Sequence, residues 1–145
     1  QKDERIHFTI VGYCALPATR EKVTKAIEGK SWISLKGLEH LVPHQEVLAE
    51  IRAADFGVIY YPPSPHTEGS IPTKVYEYMA YQLPILTWQN QGFSQWVIQN
   101  KAGLLADDPE SLLPAMLNTD FYPDPIDGLL WEAEKFRGLV ERLLS

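Results

Sequence analysis

Lys74 and Glu77 stand three residues apart inside the stretch 68–88, EGSIPTKVYEYMAYQLPILTW, and on a helix that spacing sets an ammonium beside a carboxylate. Val75, Met79 and Leu83 recur at helical spacing as the inward, apolar side, which leaves Lys74 and Glu77 on a different face. Gly69 and Ser70 offer a flexible entry and a capping hydroxyl, and Pro72 is expected in the first helical turn, where its missing N–H costs no hydrogen bond. The N–H groups at such a helix start have no intrahelical partner and the helix dipole is positive there. The chemistry on offer is therefore the binding of an anion such as a diphosphate. Without a ligand the same Lys–Glu pair is a surface contact worth about 0.2–0.5 kcal/mol. Pro84 is expected to end the helix, and Ile85, Leu86, Thr87 and Trp88 read as a short apolar strand after it.

The elements that must position these residues alternate along the chain. Residues 6–11, IHFTIV, form a β-rich run that closes on Gly12, where a strand end without a side chain lets backbone approach a ligand. Pro17 opens a helix over 18–28, with Arg20, Lys22 and Lys25 expected in solvent. Residues 32–35 are a second strand ending near Gly37, and the loop 38–42 follows, of the kind that lines ligand crevices in open α/β sheets. An amphipathic helix over 43–54 turns Val47, Leu48 and Ile51 inward. The apolar run 56–60 is a third strand, stopped by Pro62, Pro63 and Pro65. Beyond the fourth strand a helix runs to Asn100, a short strand covers 102–106, and Asp108 with Pro109 starts a helix over 110–117. A Pro-rich connector leads to a final helix within 128–145. Five strand–helix alternations argue for an α/β fold, a Rossmann-like parallel sheet flanked by helices, expected here as one domain over 1–145.

The series Pro72-x-Lys74-x-x-Glu77-Tyr78-Met79-Ala80, continued by Leu83-Pro84-Ile85, resembles the nucleotide-sugar-binding signature of group 1, GT4-like glycosyltransferases of the GT-B fold. The resemblance covers about 6–117 and is sharpest over 70–85. It implies one half of a GT-B fold, the C-terminal, donor-binding domain of a longer two-domain chain, with the N-terminal domain as its missing partner. The donor implied is a nucleotide diphosphate sugar and the reaction is transfer of its sugar to an acceptor hydroxyl. The diphosphate is then held by Gly12, by backbone at Ser70, Ile71 and Thr73, and by the Lys74 ammonium, with Glu77 on the ribose hydroxyls. The base lies against Leu38 and Val42, since the pattern of Gly37, Val42, Pro43 and His44 is similar to the base-holding loop of the family. A second family Glu eight residues before Glu77 falls here on Gly69, with Glu68 beside it. Such enzymes generally need neither cofactor nor metal, because helix dipole and basic side chains neutralise the leaving diphosphate, and the isolated domain is expected to transfer little. No residue is assigned to the transfer step itself.

The totals bound the alternatives. The chain has 145 residues, 45% of them hydrophobic and 22% charged, which suits a globular domain. A net charge of −6 gives no basic face for nucleic acid. No apolar run reaches the length of a transmembrane segment, and residues 1–5 do not read as a signal peptide. The single Cys14 makes no internal disulfide, so the expected location is cytoplasmic, with membrane association of the longer protein left open. His40 and His44 lack the intervening Glu of a zinc-protease helix and read as solvent groups. A nucleotide-sugar epimerase of the same architecture and a nucleotide-binding module without transfer activity both stay open. A receiver-like signalling domain needs an acidic pair after its first strand and an Asp after its third; Gly12-Tyr13-Cys14 and Tyr60-Tyr61-Pro62 supply neither.

Overall fold

The computed structural model of the chain describes residues 6–62, 64 and 71–123. Ser70, most of the loop 66–71 and the expected final helix within 128–145 lie outside the described residues. Strands and helices alternate as β1 (Phe8–Tyr13), α1 (Pro17–Ile27), β2 (Ile33–Leu38), α2 (His44–Ala53), β3 (Gly57–Val58), α3 (Thr73–Ala80), β4 (Ile85–Thr87), α4 (Ser94–Gln99), β5 (Gly103–Leu105) and α5 (Pro109–Asn118). Every strand pair is parallel, and helices flank the sheets, so the α/β, Rossmann-like class read from the alternation is the class of the fold.

Two compact units divide the chain, Gln1–Ala53 and Ala54–Ser145. The first carries a two-stranded sheet in which β1 pairs β2 from Phe8↔Ile33 to Tyr13↔Leu38. Ile51 of α2 is buried, Val47 and Leu48 are half-buried, and Lys36 of β2 pairs with Glu50 of α2, so α2 turns the side the sequence assigned to the interior. Arg20 departs from the solvent position expected of it: it is half-buried on α1, and its Nε is shielded without a partner.

The second unit carries the order β3-β4-β5. Its core joins Ile59, Val75, Met79, Ile85, Phe93, Val97 and Ala102, all nearly inaccessible. Burying side chains of this size stabilises the fold by roughly 1.5–3 kcal/mol each. A Cβ on Gly103 would stand 1.9 Å from the Ile85 carbonyl oxygen, so the approach of β5 to β4 admits no side chain there.

The helix ends depart from the sequence expectation. Pro84 does not end α3; the chain turns two residues earlier, with Gln82 in the left-handed region at φ 52°. The Gln82 N–H donates to Met79 O at 2.9 Å and the Leu83 N–H to Tyr78 O at 2.8 Å, which is a Schellman cap. The same closure ends α4, where Lys101 has φ 49°, its N–H donates to Ile98 O at 3.0 Å, and the Ala102 N–H donates to Val97 O at 2.9 Å. In both caps the next residue, Leu83 or Ala102, is buried and leads straight into a strand. Among the described residues no helix is long and apolar enough to cross a membrane.

Both caps hold a residue with a side chain where glycine is cheapest. Gln82→Gly and Lys101→Gly should each raise stability by about 0.5–1 kcal/mol, while Gly103→Ala should lower it by about 1–3 kcal/mol. Urea midpoints with unchanged slope measure all three. A Gly103→Ala chain as stable as the parent would contradict the strand spacing.

Candidate functional site

Helix α3 is placed by its buried stripe and offers its other side. Val75 and Met79 are buried against Ile85 and Ile59, which fixes the rotation of the helix about its axis. Pro72 is the N-cap residue, with φ −61° and ψ 143°, and not part of the first turn as expected. Its extended ψ keeps it outside the helix, and its carbonyl accepts the first bond, from the Val75 N–H at 3.0 Å. Thr73 and Lys74 are then the first two helical residues, whose N–H groups have no carbonyl one turn behind them. Ile71 precedes them and is 37% exposed.

Lys74 Nζ lies 2.5 Å from Glu77 Oε2, with side-chain exposures of 40% and 31%. The pair shares the helix side predicted from its spacing. A carboxylate keeps acceptor capacity beyond one ammonium, and an ammonium has three donors, so the contact leaves both groups able to bind a ligand. Tyr78 follows Glu77 and packs toward the sheet, its ring over Gly57, where a Cβ would stand 2.4 Å from the ring. Burial pushes the Tyr78 phenol above its ordinary pKa, and the nearby Glu77 carboxylate and Tyr61 push it the same way.

The strands of this unit end in a polar rim. Gln91 is buried, and its Nε2 donates to Tyr61 O at 3.0 Å while its Oε1 accepts from the Tyr61 N–H at 3.0 Å. The side-chain amide thus pairs with Tyr61 as a neighbouring strand would, tying the exit of β3 to the loop after β4. Its second amide hydrogen goes to Asn90 Oδ1 at 3.0 Å. Ser94 Oγ, also buried, donates to Gln89 O at 3.2 Å. Thr87 is fully buried, and among the described residues its hydroxyl has no partner, an uncommon state for a buried polar group. Past the strand ends a groove of about 670 Å³ is lined by Tyr60, Trp88, Gln89, Asn90 and Asp107.

In the first unit, Gly12, Leu38 and Val42 come together at the C-terminal ends of β1 and β2. Gly12 is in register with Gly37, and a Cβ on Gly37 would stand 2.6 Å from Gly12 O and 2.5 Å from Val42 Cγ2. Leu38 is the buried last residue of β2, not a loop residue, with φ 69° and its carbonyl accepting from the Cys14 N–H at 2.9 Å. His40 and His44 are exposed. Among the described residues no group of three or more His, Cys, Asp or Glu side chains could hold a metal ion.

The structure therefore gathers Ile71, Thr73, Lys74 and Glu77 at the start of α3, and Gly12, Leu38 and Val42 at the strand ends of the first unit. Sequence reasoning gave no role to Gln91, Tyr78 or the groove. A buried glutamine has no periodic signature, and its partner is thirty residues away.

The family described as glycosyl transferases, group 1, matches residues 1–119. No curated protein and no solved structure matches the chain.

Two expectations follow from this geometry. Gln91→Leu leaves the Tyr61 N–H and C=O without partners and should cost about 1–3 kcal/mol in chemical unfolding; an unchanged midpoint would mean the clasp contributes nothing. The pH dependence has a definite sign. Tyr78 is neutral to a higher pH in the folded chain than its ordinary value of 10.0, so its contribution is fully present below that pH. It is lost as pH rises through the folded value. Stability above pH 10 should fall less steeply in Tyr78→Phe than in the parent, as read by denaturant titration at several pH values.

Proposed function

Because the chain belongs to the glycosyl transferases of group 1, we propose that its second unit binds a nucleotide diphosphate sugar by the diphosphate at the start of α3. The observation that carries the reading is the Lys74–Glu77 pair, held at 2.5 Å beside the first-turn N–H groups on a helix whose rotation the core fixes. The N–H groups of Ile71 and Thr73 are the phosphate donors of this reading, and Ser70, outside the described residues, keeps the same role assigned from the sequence. Lys74 supplies a full positive charge to them. Glu77 accepts from the ribose hydroxyls while keeping Lys74 in place.

Transfer of the sugar builds negative charge on the departing nucleoside diphosphate. Donors already aimed at that position stabilise it without reorganising during the reaction. The acceptor is contacted by a further GT-B domain, and the lone Cys14 suits a cytoplasmic, reducing setting.

Titration with UDP, GDP and ADP and with the matching nucleosides, followed by calorimetry, tests the assignment. Lys74→Met should weaken the diphosphate by roughly tenfold and the nucleoside little; Glu77→Ala should weaken both, each charge-assisted bond being worth about 1.5–3 kcal/mol. Equal losses for nucleoside and diphosphate in Lys74→Met would remove the phosphate role, and an unchanged dissociation constant in Glu77→Ala would remove Glu77 from the site.

A further inference from the structure

Residues 119–123, which leave α5, touch the start of every strand in the second unit. Phe121 meets Phe56, the residue before β3, edge to face, with centroids 5.6 Å apart and planes at 87°. Tyr122 serves the other two. Its hydroxyl donates to Leu83 O at 2.9 Å and lies 3.2 Å from Ala102 O, and its N–H donates to Lys101 O at 3.2 Å. Leu83 and Ala102 are the buried residues by which α3 and α4 hand over to β4 and β5. No other donor reaches Leu83 O among the described residues. A single tyrosine therefore ties two helix exits to a third stretch of chain.

Strain collects at the same place. Among the described residues four with a side chain have a left-handed φ, and three of them meet here: Gln82 at 52°, Lys101 at 49° and Tyr122 at 52°. Such residues persist only where their neighbours over-determine them, and they cluster at switching elements. The Schellman bonds close the first two turns from inside, from the Gln82 and Leu83 N–H groups to Met79 O and Tyr78 O, and from the Lys101 and Ala102 N–H groups to Ile98 O and Val97 O. Tyr122 closes both from outside. Its own hold is slight: Thr119, Asp120 and Pro123 are exposed, and Phe121 and Tyr122 are only half-buried. Tyr122 lies against the core of Ile59, Val75, Met79, Ile85 and Val97 and is not one of its buried members.

We propose that residues 119–123 are a releasable latch with Tyr122 as its bolt. Seated, the latch holds the exits of α3 and α4 closed together; released, it lets both left-handed turns relax in one step while the core stays folded. The two turns are far apart in sequence, so a common opening comes through the tyrosine they share. The latch acts at the end of α3 away from Lys74 and stands independently of the diphosphate reading.

Amide exchange of the native 145-residue chain, followed residue by residue as urea is raised, tests the latch. The amides of Gln82, Leu83, Lys101, Ala102 and Tyr122 should open with one free energy and one urea slope. Both should be smaller than those of Ile59 and Val97, whose N–H groups donate within the core to Leu86 O and Phe93 O. Tyr122→Phe keeps the ring and removes the hydroxyl, and should speed exchange at both turns by about tenfold. Gln82→Gly relieves one turn and should slow exchange at Lys101 and Ala102 as much as at Leu83, by about threefold. Turns that open at different free energies, or only together with Ile59 and Val97, overturn the proposal, and so does a Gln82→Gly effect confined to residues 82–83. The parent pattern decides the matter should Tyr122→Phe fail to fold.

Discussion

The burial of Val75 and Met79 against Ile85 and Ile59 is the contact on which the second unit depends. An eight-residue helix is too short to persist on its own propensity, so α3 exists because one stripe of it leaves water. That stripe sets the helix rotation. Lys74 and Glu77 have no choice of side once it is set, and they arrive together at the end where the backbone donors are open. Gly57 extends the constraint by admitting the Tyr78 ring over β3, which carries a second row of the helix down onto the sheet.

The connections then deliver each helix into the strand that follows. Two Schellman closures, at Gln82 and Lys101, turn the chain by left-handed residues and bury Leu83 and Ala102 at once. A tight return of this kind keeps β4 and β5 in register with their neighbours, so the strand ends line up as a rim. Gln91 completes that rim by substituting a side-chain amide for backbone pairing where β3 stops after two residues. Tyr122 acts from farther along the chain, its hydroxyl donating to Leu83 O at 2.9 Å and lying 3.2 Å from Ala102 O, the two residues that leave the caps. Burial pushes its phenol well above the usual tyrosine pKa, in keeping with a neutral donor.

Two chemically unlike places result on one unit. The start of α3 gathers open N–H groups and an ammonium. Among the described residues, the groove beside Trp88 gathers aromatic carbon, amides and a single carboxylate.

The sequence by itself determined the alternation of strands and helices, the apolar stripe of α3, the sharing of one side by Lys74 and Glu77, and the family signature over 72–85. These are local periodicities, set by side-chain spacing along one element, and a chain carries them before it folds. Tertiary structure decided the rest. Whether the chain turned away from α3 at Gln82 or only at Pro84 depended on where Leu83 could be buried. The half-burial of Arg20 depended on what packed around α1, and the corner of Tyr60 and Trp88 on strands brought side by side. The pairing of Gln91 with Tyr61 joins residues thirty positions apart, and the hydrogen-bonding partner of a polar side chain is a property of the folded neighbourhood, which no pattern along the chain contains.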